Sequence, residues 1–117
     1  DGTQSKSYLH IDDCVNAFLM ALEEEFWHGP VEVYNIGTED QTNVLKIAQV
    51  VTNAMGLNNV AIKTTSGPDG RAWPGDVKTM QLDITKIKKH GWKPKLSSDE
   101  AVRLAAEQLI QDLSSTK

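Results

Sequence analysis

A chain of 117 residues has the length of one domain or of one piece of a larger protein, and with 39% apolar and 24% charged residues it can bury an ordinary core. A formal net charge of −4 argues against nucleic acid or an anionic membrane as a main partner, because either favours a basic face. The single cysteine, Cys14, excludes an internal disulfide and holds no zinc alone; with no apolar run of membrane-spanning length, a soluble protein of the reducing cytoplasm is expected.

The chain opens at Asp1 without a methionine and runs almost at once into the structured-looking SYLHIDD, so an upstream part is expected elsewhere. Residues 7–11 have the pattern of a short strand or extended entry. Asp12 or Asp13 is then expected to cap a helix, since a carboxylate accepts orphan backbone N–H groups and complements the helix dipole. Val15, Phe18, Leu19, Leu22 and Phe26 recur at helical spacing, and His28-Gly29-Pro30 should end that helix. Residues 31–36 are strand-like and lead to Gly37, which allows a tight exit. Thr42 is expected to open a second helix carrying Val44, Ile47, Ala48, Val51 and Met55 on one stripe, with Gly56 as its stop. Val60 and Ile62 alternate as a short strand before the loop 64–75, and residues 77–82 form a candidate strand. Asp83 should cap a short helix whose last turn holds Lys88, Lys89 and His90 before Gly91, the charge order the dipole favours. Ser97 and Glu100 have capping-box spacing. They introduce a final helix expected to bury Val102, Ala105, Ala106, Leu109 and Leu113 and to fray over residues 114–117. The pattern predicts a small, compact mixed α/β domain of short strands and about four helices.

Strong catalytic signatures are absent from the sequence. No G-x-G-x-x-G follows a strand, no G-x-x-x-x-G-K-[ST] is present, and the three histidines, His10, His28 and His90, stand in separate contexts with no nucleophile motif beside them. His10 with Asp12 and Asp13 could be drawn as metal ligands, but a capped helix start accounts for them better. No catalytic residue and no metal site are assigned.

One loop, GRAWPGDVKTMQLD over residues 70–83, carries chemistry worth weighing. Arg71 presents a rigid fork of donors suited to phosphate, and Asp76 can accept from paired hydroxyls such as those of a ribose. On one glycine-hinged loop the two can grip a nucleoside diphosphate. The plainer alternative is a solvent-exposed Arg–Asp pair worth little to stability, and composition alone favours it. Trp73 likewise fits a packing lid over a core better than a base-stacking platform.

GRAWPGDV, followed by MQLD and DITKIKKHGWKP, resembles the C-terminal part of the extended short-chain dehydrogenase/reductases. The likeness is greatest to NAD-dependent nucleotide-sugar epimerases and dehydratases of the UDP-glucose 4-epimerase type. DGTQSKSYLHIDDCVNAFLMAL and VYNIGTEDQTNVLKIAQVV resemble the segments that precede it, in the family's order, so the match spans nearly the whole chain. The resemblance implies a substrate lobe without its Rossmann domain. In the family that domain binds NAD and supplies a Tyr-x-x-x-Lys pair; here neither Tyr8 nor Tyr34 is followed four residues later by lysine. Residue by residue, it implies that Arg71 contacts the nucleotide diphosphate and that Asp76, the acid of R-x-x-x-G-D, holds the ribose. Lys6 stands where many members have an arginine facing the same phosphates; it keeps the charge and loses the bidentate fork. His10 and Asn35 also match, and both are expected to be structural, His10 as a partner of the loop.

For a complete enzyme the resemblance implies transient oxidation of a sugar carbon by NAD with a tyrosine base. This segment would hold the nucleotide end while the sugar turns. The implied partners are the nucleotide-sugar and the N-terminal Rossmann domain, with a homodimeric parent a further expectation; no cofactor is expected to bind this chain itself. The alternative is a stand-alone, non-catalytic α/β binding or interaction module. As a fragment the chain should expose the apolar faces that meet the missing domain, with association or partial disorder around residues 1–10 and 67–75.

Overall fold

The computed structural model of the chain describes residues 1–23, 26–65, 67 and 69–115. Among them the elements run β1 (Ser5–Lys6), α1 (Ile11–Met20), β2 (Thr42–Asn43), α2 (Val44–Ala54), β3 (Thr79–Met80), α3 (Thr85–Lys89) and α4 (Ser98–Ser115). The expected mixed α/β class with four helices is what the described residues adopt. β1 lies in the middle of the sheet, antiparallel to β2 with Ser5 opposite Asn43, and parallel to β3 with Lys6 opposite Met80. No helix among the described residues is long and apolar enough to cross a membrane.

The helix starts differ from expectation in instructive ways. His10, not an aspartate, caps α1: its Nδ1 accepts from Asp12 N at 3.3 Å. Asp13 instead turns inward, and its carboxylate accepts from Lys95 N and Leu96 N at 3.0 and 3.3 Å, tying α1 to the approach of α4. Asn43 rather than Thr42 caps α2, accepting from Lys46 N at 2.9 Å. The Ser97–Glu100 box forms as its spacing predicts: Ser97 N donates to Glu100 Oε2 at 2.8 Å and Glu100 N to Ser97 Oγ at 3.3 Å. Asp83 Oδ1 accepts from Thr85 N at 2.8 Å at the head of α3.

Several segments depart from the strand and helix pattern. α1 ends at Met20 rather than running to His28. Residues 31–36 join no ladder, although Glu32, Tyr34 and Ile36 turn inward while Val31, Val33 and Asn35 face outward. Val60 and Ile62 form no strand, and of residues 77–82 only Thr79–Met80 pair. At the tail, Ser114 and Ser115 are helical, donating to Ile110 O and Gln111 O at 2.7 and 2.9 Å. The expectation of fraying at Thr116 and Lys117 lies outside the described residues, as do Ser66 and Pro68 of the expected loop.

The core gathers where α1, α3 and the segment 31–36 meet: Ala17, Phe26, Ile84, Ile87 and Trp92, with Leu9, Met20, Tyr34 and Ile36 packed around them. Lys86 fastens 31–36 to α3, its Nζ 2.8 Å from Glu32 Oε2 and 4.4 Å from the Tyr34 ring centroid. A buried hydroxyl pair holds α4. Ser98 Oγ accepts from Tyr8 N at 3.0 Å and lies 2.8 Å from Thr38 Oγ1, and the Asp40 carboxylate accepts from Ser98 N at 3.0 and 3.1 Å.

The apolar stripes are only partly inside. On α1, Phe18 is 66% exposed, and Val15 and Leu19 are exposed with it; Leu22, just past the helix, is 72% exposed. The inward positions of that helix are Asp13 and Ala17. On α4, Ala105, Leu109 and Leu113 are exposed; on α2 Val50 is buried while Val44 is exposed, as is Met55 at the helix's C-cap. The outline is correspondingly a slab of 52 × 42 × 20 Å with a radius of gyration of 17.3 Å, where a globular chain of this length has about 13 Å. Its accessible surface of 8405 Å² exceeds by about 2100 Å² the roughly 6300 Å² usual for a folded monomer of 12.9 kDa.

Candidate functional site

β1 and β3 bring the two ends of the candidate site together. Because they pair in parallel, the chain leaving the loop 69–78 runs directly alongside Lys6: Ser5 N donates to Lys78 O at 2.7 Å and Ser7 N to Met80 O at 3.2 Å. Side chains two apart on a strand share a face. Gln4 and Lys6 both reach the loop, Gln4 Nε2 donating to Gly70 O at 3.0 Å and Lys6 Nζ lying 3.2 Å from Asp76 Oδ1. Gly70 has φ +76°, a backbone conformation that L side chains rarely adopt, so glycine is favoured there.

Asp76 organises the loop from within. Its residue is 6% exposed; Oδ1 meets Lys6 and Oδ2 accepts from Ala72 N at 3.2 Å. The hydrogen bond from Ala72 N holds its carboxyl below the ordinary aspartate value, opposed by burial and assisted by the hydrogen bond and charge of Lys6 and by Gln4. Asp76 N also donates to Trp73 O at 3.1 Å. That bond closes a turn with Pro74 second and Gly75, at φ +90°, third, the pattern of a type II turn.

Arg71 stands at the loop's outer side, half exposed, with Nη1 3.1 Å from Asp69 Oδ2. Trp73 is 61% exposed, so it is no lid over the core. Gly67, Asp69, Arg71, Ala72, Trp73, Pro74 and Gly75 line a cavity of about 460 Å³, within the range of small-molecule sites. Of the sequence-derived site residues, the structure joins Lys6 to Asp76 as an ion pair and sets Arg71 on the same loop, paired with Asp69. Gln4 was not anticipated; its position two before Lys6 on β1 was the available signal.

His10 is structural, with partners other than the loop. It is buried, its Nδ1 caps α1, and its Nε2 lies 3.1 Å from Gln108 Oε1 on α4. Asn35 Nδ2 donates to Asp83 O at 3.2 Å, which makes it a tie between 31–36 and α3. Among the described residues no three His, Cys, Asp or Glu side chains group as a metal site.

Comparison with known proteins gives this arrangement its family. No family model matches the chain. A putative UDP-glucose 4-epimerase of Methanocaldococcus jannaschii is 30% identical over 103 residues, covering 88% of this chain and 30% of the relative. A crystal structure of a UDP-galactose 4-epimerase is 39% identical with a TM-score of 0.79, covering 94% of this chain and 35% of the other. That of a UDP-glucose 4-epimerase with UDP-glucose from Thermotoga maritima is 32% identical with a TM-score of 0.75, covering 97% and 34%. GDP-L-fucose synthases and a dTDP-D-glucose 4,6-dehydratase are among the further relatives, and other solved UDP-sugar epimerases among the matches hold NAD. The chain belongs to the extended short-chain dehydrogenase/reductases that modify nucleotide-sugars, as the sequence resemblance implied, and spans about a third of the length of the relatives it matches.

Proposed function

We propose that this chain is the C-terminal, nucleotide-gripping segment of an NAD-dependent nucleotide-sugar epimerase or dehydratase. The observation that carries the reading is the loop 69–76, pinned by Gln4 and Lys6, which puts Arg71 in the lining of a cavity and the buried Lys6–Asp76 pair in the same loop. In this reading Arg71 exchanges Asp69 for the diphosphate, whose oxygens its planar fork fits better. Lys6 moves from Asp76 to the same phosphates as a point charge. Asp76 then offers ribose hydroxyls the lone pairs that Lys6 releases, while Ala72 N keeps the carboxylate ionised and aimed. Binding energy from the non-reacting nucleotide end would thereby fix the handle while the sugar stays free to turn.

The residues present do not fit NAD. The sequence has no glycine-rich strand-to-helix turn and no Tyr-x-x-x-Lys, so cofactor and hydride transfer fall to the part of the parent outside this chain. Two features support such a partner: the relatives are about three times as long, and the slab exposes about 2100 Å² beyond a monomer's usual surface. A further cavity of about 300 Å³, lined by Ala17, Phe18, Val33, Ile36 and Ile87 among others, opens on the apolar side of α1. We assign that side to the Rossmann domain.

An amide NMR titration with UDP, on the chain and on Arg71→Ala, tests the grip. Saturable shifts centred on residues 70–77 and lost in the variant are expected. Shifts scattered over the surface and indifferent to Arg71 would overturn it.

A further inference from the structure

The three tryptophans sit in three settings: Trp92 is buried at 1% exposure, whereas Trp27 and Trp73 are open at 58% and 61%. A single exposed indole is ordinary on a protein surface. Trp73 differs in being the first residue of the Trp73–Pro74–Gly75–Asp76 turn, closed by the 3.1 Å bond from Asp76 N to Trp73 O. A β-turn holds the Cα atoms of its end residues within about 7 Å. Pro74 fixes its own φ near −65°, and Gly75 supplies the positive φ at +90°. The indole is therefore rooted on a short, closed backbone segment that ends at Asp76, and it lines the same cavity as Arg71, while the Asp76 carboxylate is held against Lys6 and Ala72 N.

In a nucleotide the base is bonded to the ribose and the ribose to the phosphates. A carboxylate for ribose hydroxyls, with an exposed aromatic face a turn's width away and a guanidinium nearby, repeats that adjacency. We propose that Trp73 is the stacking face for the nucleobase of the nucleoside diphosphate; this rests on the nucleotide-grip reading above. An indole face attracts any base, because every base has a π-face, so Trp73 adds affinity without choosing between uracil, thymine and guanine. The proposal separates two tasks in one loop. Arg71 and Asp76 recognise what all nucleoside diphosphates share in phosphate and sugar, and Trp73 recognises that a base is present at all.

The test compares UDP with ribose 5-phosphate, which has sugar and phosphate but no base, on the chain and on Trp73→Ala, Trp73→Phe and Arg71→Ala. The indole N–H resonance missing in Trp73→Phe identifies Trp73 against Trp27 and Trp92. We expect that resonance to move with UDP and not with ribose 5-phosphate. Trp73→Ala should weaken UDP roughly tenfold and Trp73→Phe by no more than roughly threefold, with ribose 5-phosphate unchanged in both. Equal loss of both ligands in Trp73→Ala would make Trp73 a mere shaper of the loop and overturn the proposal. UDP binding that is lost in Arg71→Ala but unchanged in Trp73→Ala would overturn the stacking and leave the grip standing. No binding of either ligand by the unaltered chain at millimolar concentration would overturn both.

Discussion

Lys6 and Asp76 are seventy residues apart in sequence and 3.2 Å apart in the fold, and that contact decides how the loop responds to acid. The Asp76 carboxyl is held below its ordinary value of 3.8, first by Ala72 N and then by Lys6. A depressed carboxyl stabilises the fold above the unfolded value and loses that contribution as pH falls through the folded one. Protection of the amides of residues 70–78 should therefore be full at neutral pH and fall away below about pH 3.8, as hydrogen exchange at stepped pH would show. Lys6→Met should shift that loss to higher pH; an unchanged profile would mean that Ala72 N alone suffices. Ser98 offers a second test. It is buried and takes the Tyr8 N–H, so Ser98→Ala leaves that donor unmatched and should cost about 1–3 kcal/mol, read from the urea midpoint. The turn at Trp73–Asp76 has its signal locally in Pro-Gly, although the segment is expected from sequence only as a glycine-hinged loop. The partner of Asp76 has no such signal, since nothing near residue 76 in the chain points to residue 6.

Among the elements, helix starts divide along the same line. The Ser97–Glu100 box was legible because both partners lie within one turn. The capping of α1 was not: two aspartates looked like the natural caps, but Asp13 is drawn inward by Lys95 N and Leu96 N, which leaves His10 to take the orphan N–H of Asp12. Asn43→Ala at the head of α2 should cost about 1 kcal/mol, seen as a lower thermal midpoint. The periodicity of α1 was legible too, yet the stripe it marks points outward. A hydrophobic stripe says only that a face wants cover, not that this chain provides it. Phe18→Glu with Leu22→Lys should accordingly leave the urea midpoint within about 0.5 kcal/mol and reduce self-association in sedimentation velocity. In a protein of the relatives' full length, the same pair should be strongly disruptive.

For the whole molecule the decisive figure is the 20 Å thickness. A helix with its side chains is about 10–12 Å across, so the slab is about two helices deep and has one interior seam. Ile87, 1% exposed, lies in that seam, and Ile87→Ala should cost about 2–5 kcal/mol, enough on its own to unfold a chain with so little core. Circular dichroism would show that as loss of the cooperative transition.

Thinness also sets how the chain answers heat and denaturant. The unfolded chain of 12.9 kDa exposes about 18,700 Å², so with 8405 Å² still accessible after folding it hides only about 55% of its surface. The denaturant slope and the heat-capacity step of unfolding both scale with the surface newly wetted. Both should be small for the length: a shallow urea transition, a broad calorimetric peak and a flat stability curve with temperature. Within a protein of the relatives' full length, the same residues should melt steeply, because the surface they now leave wet would be counted on the folded side of the transition.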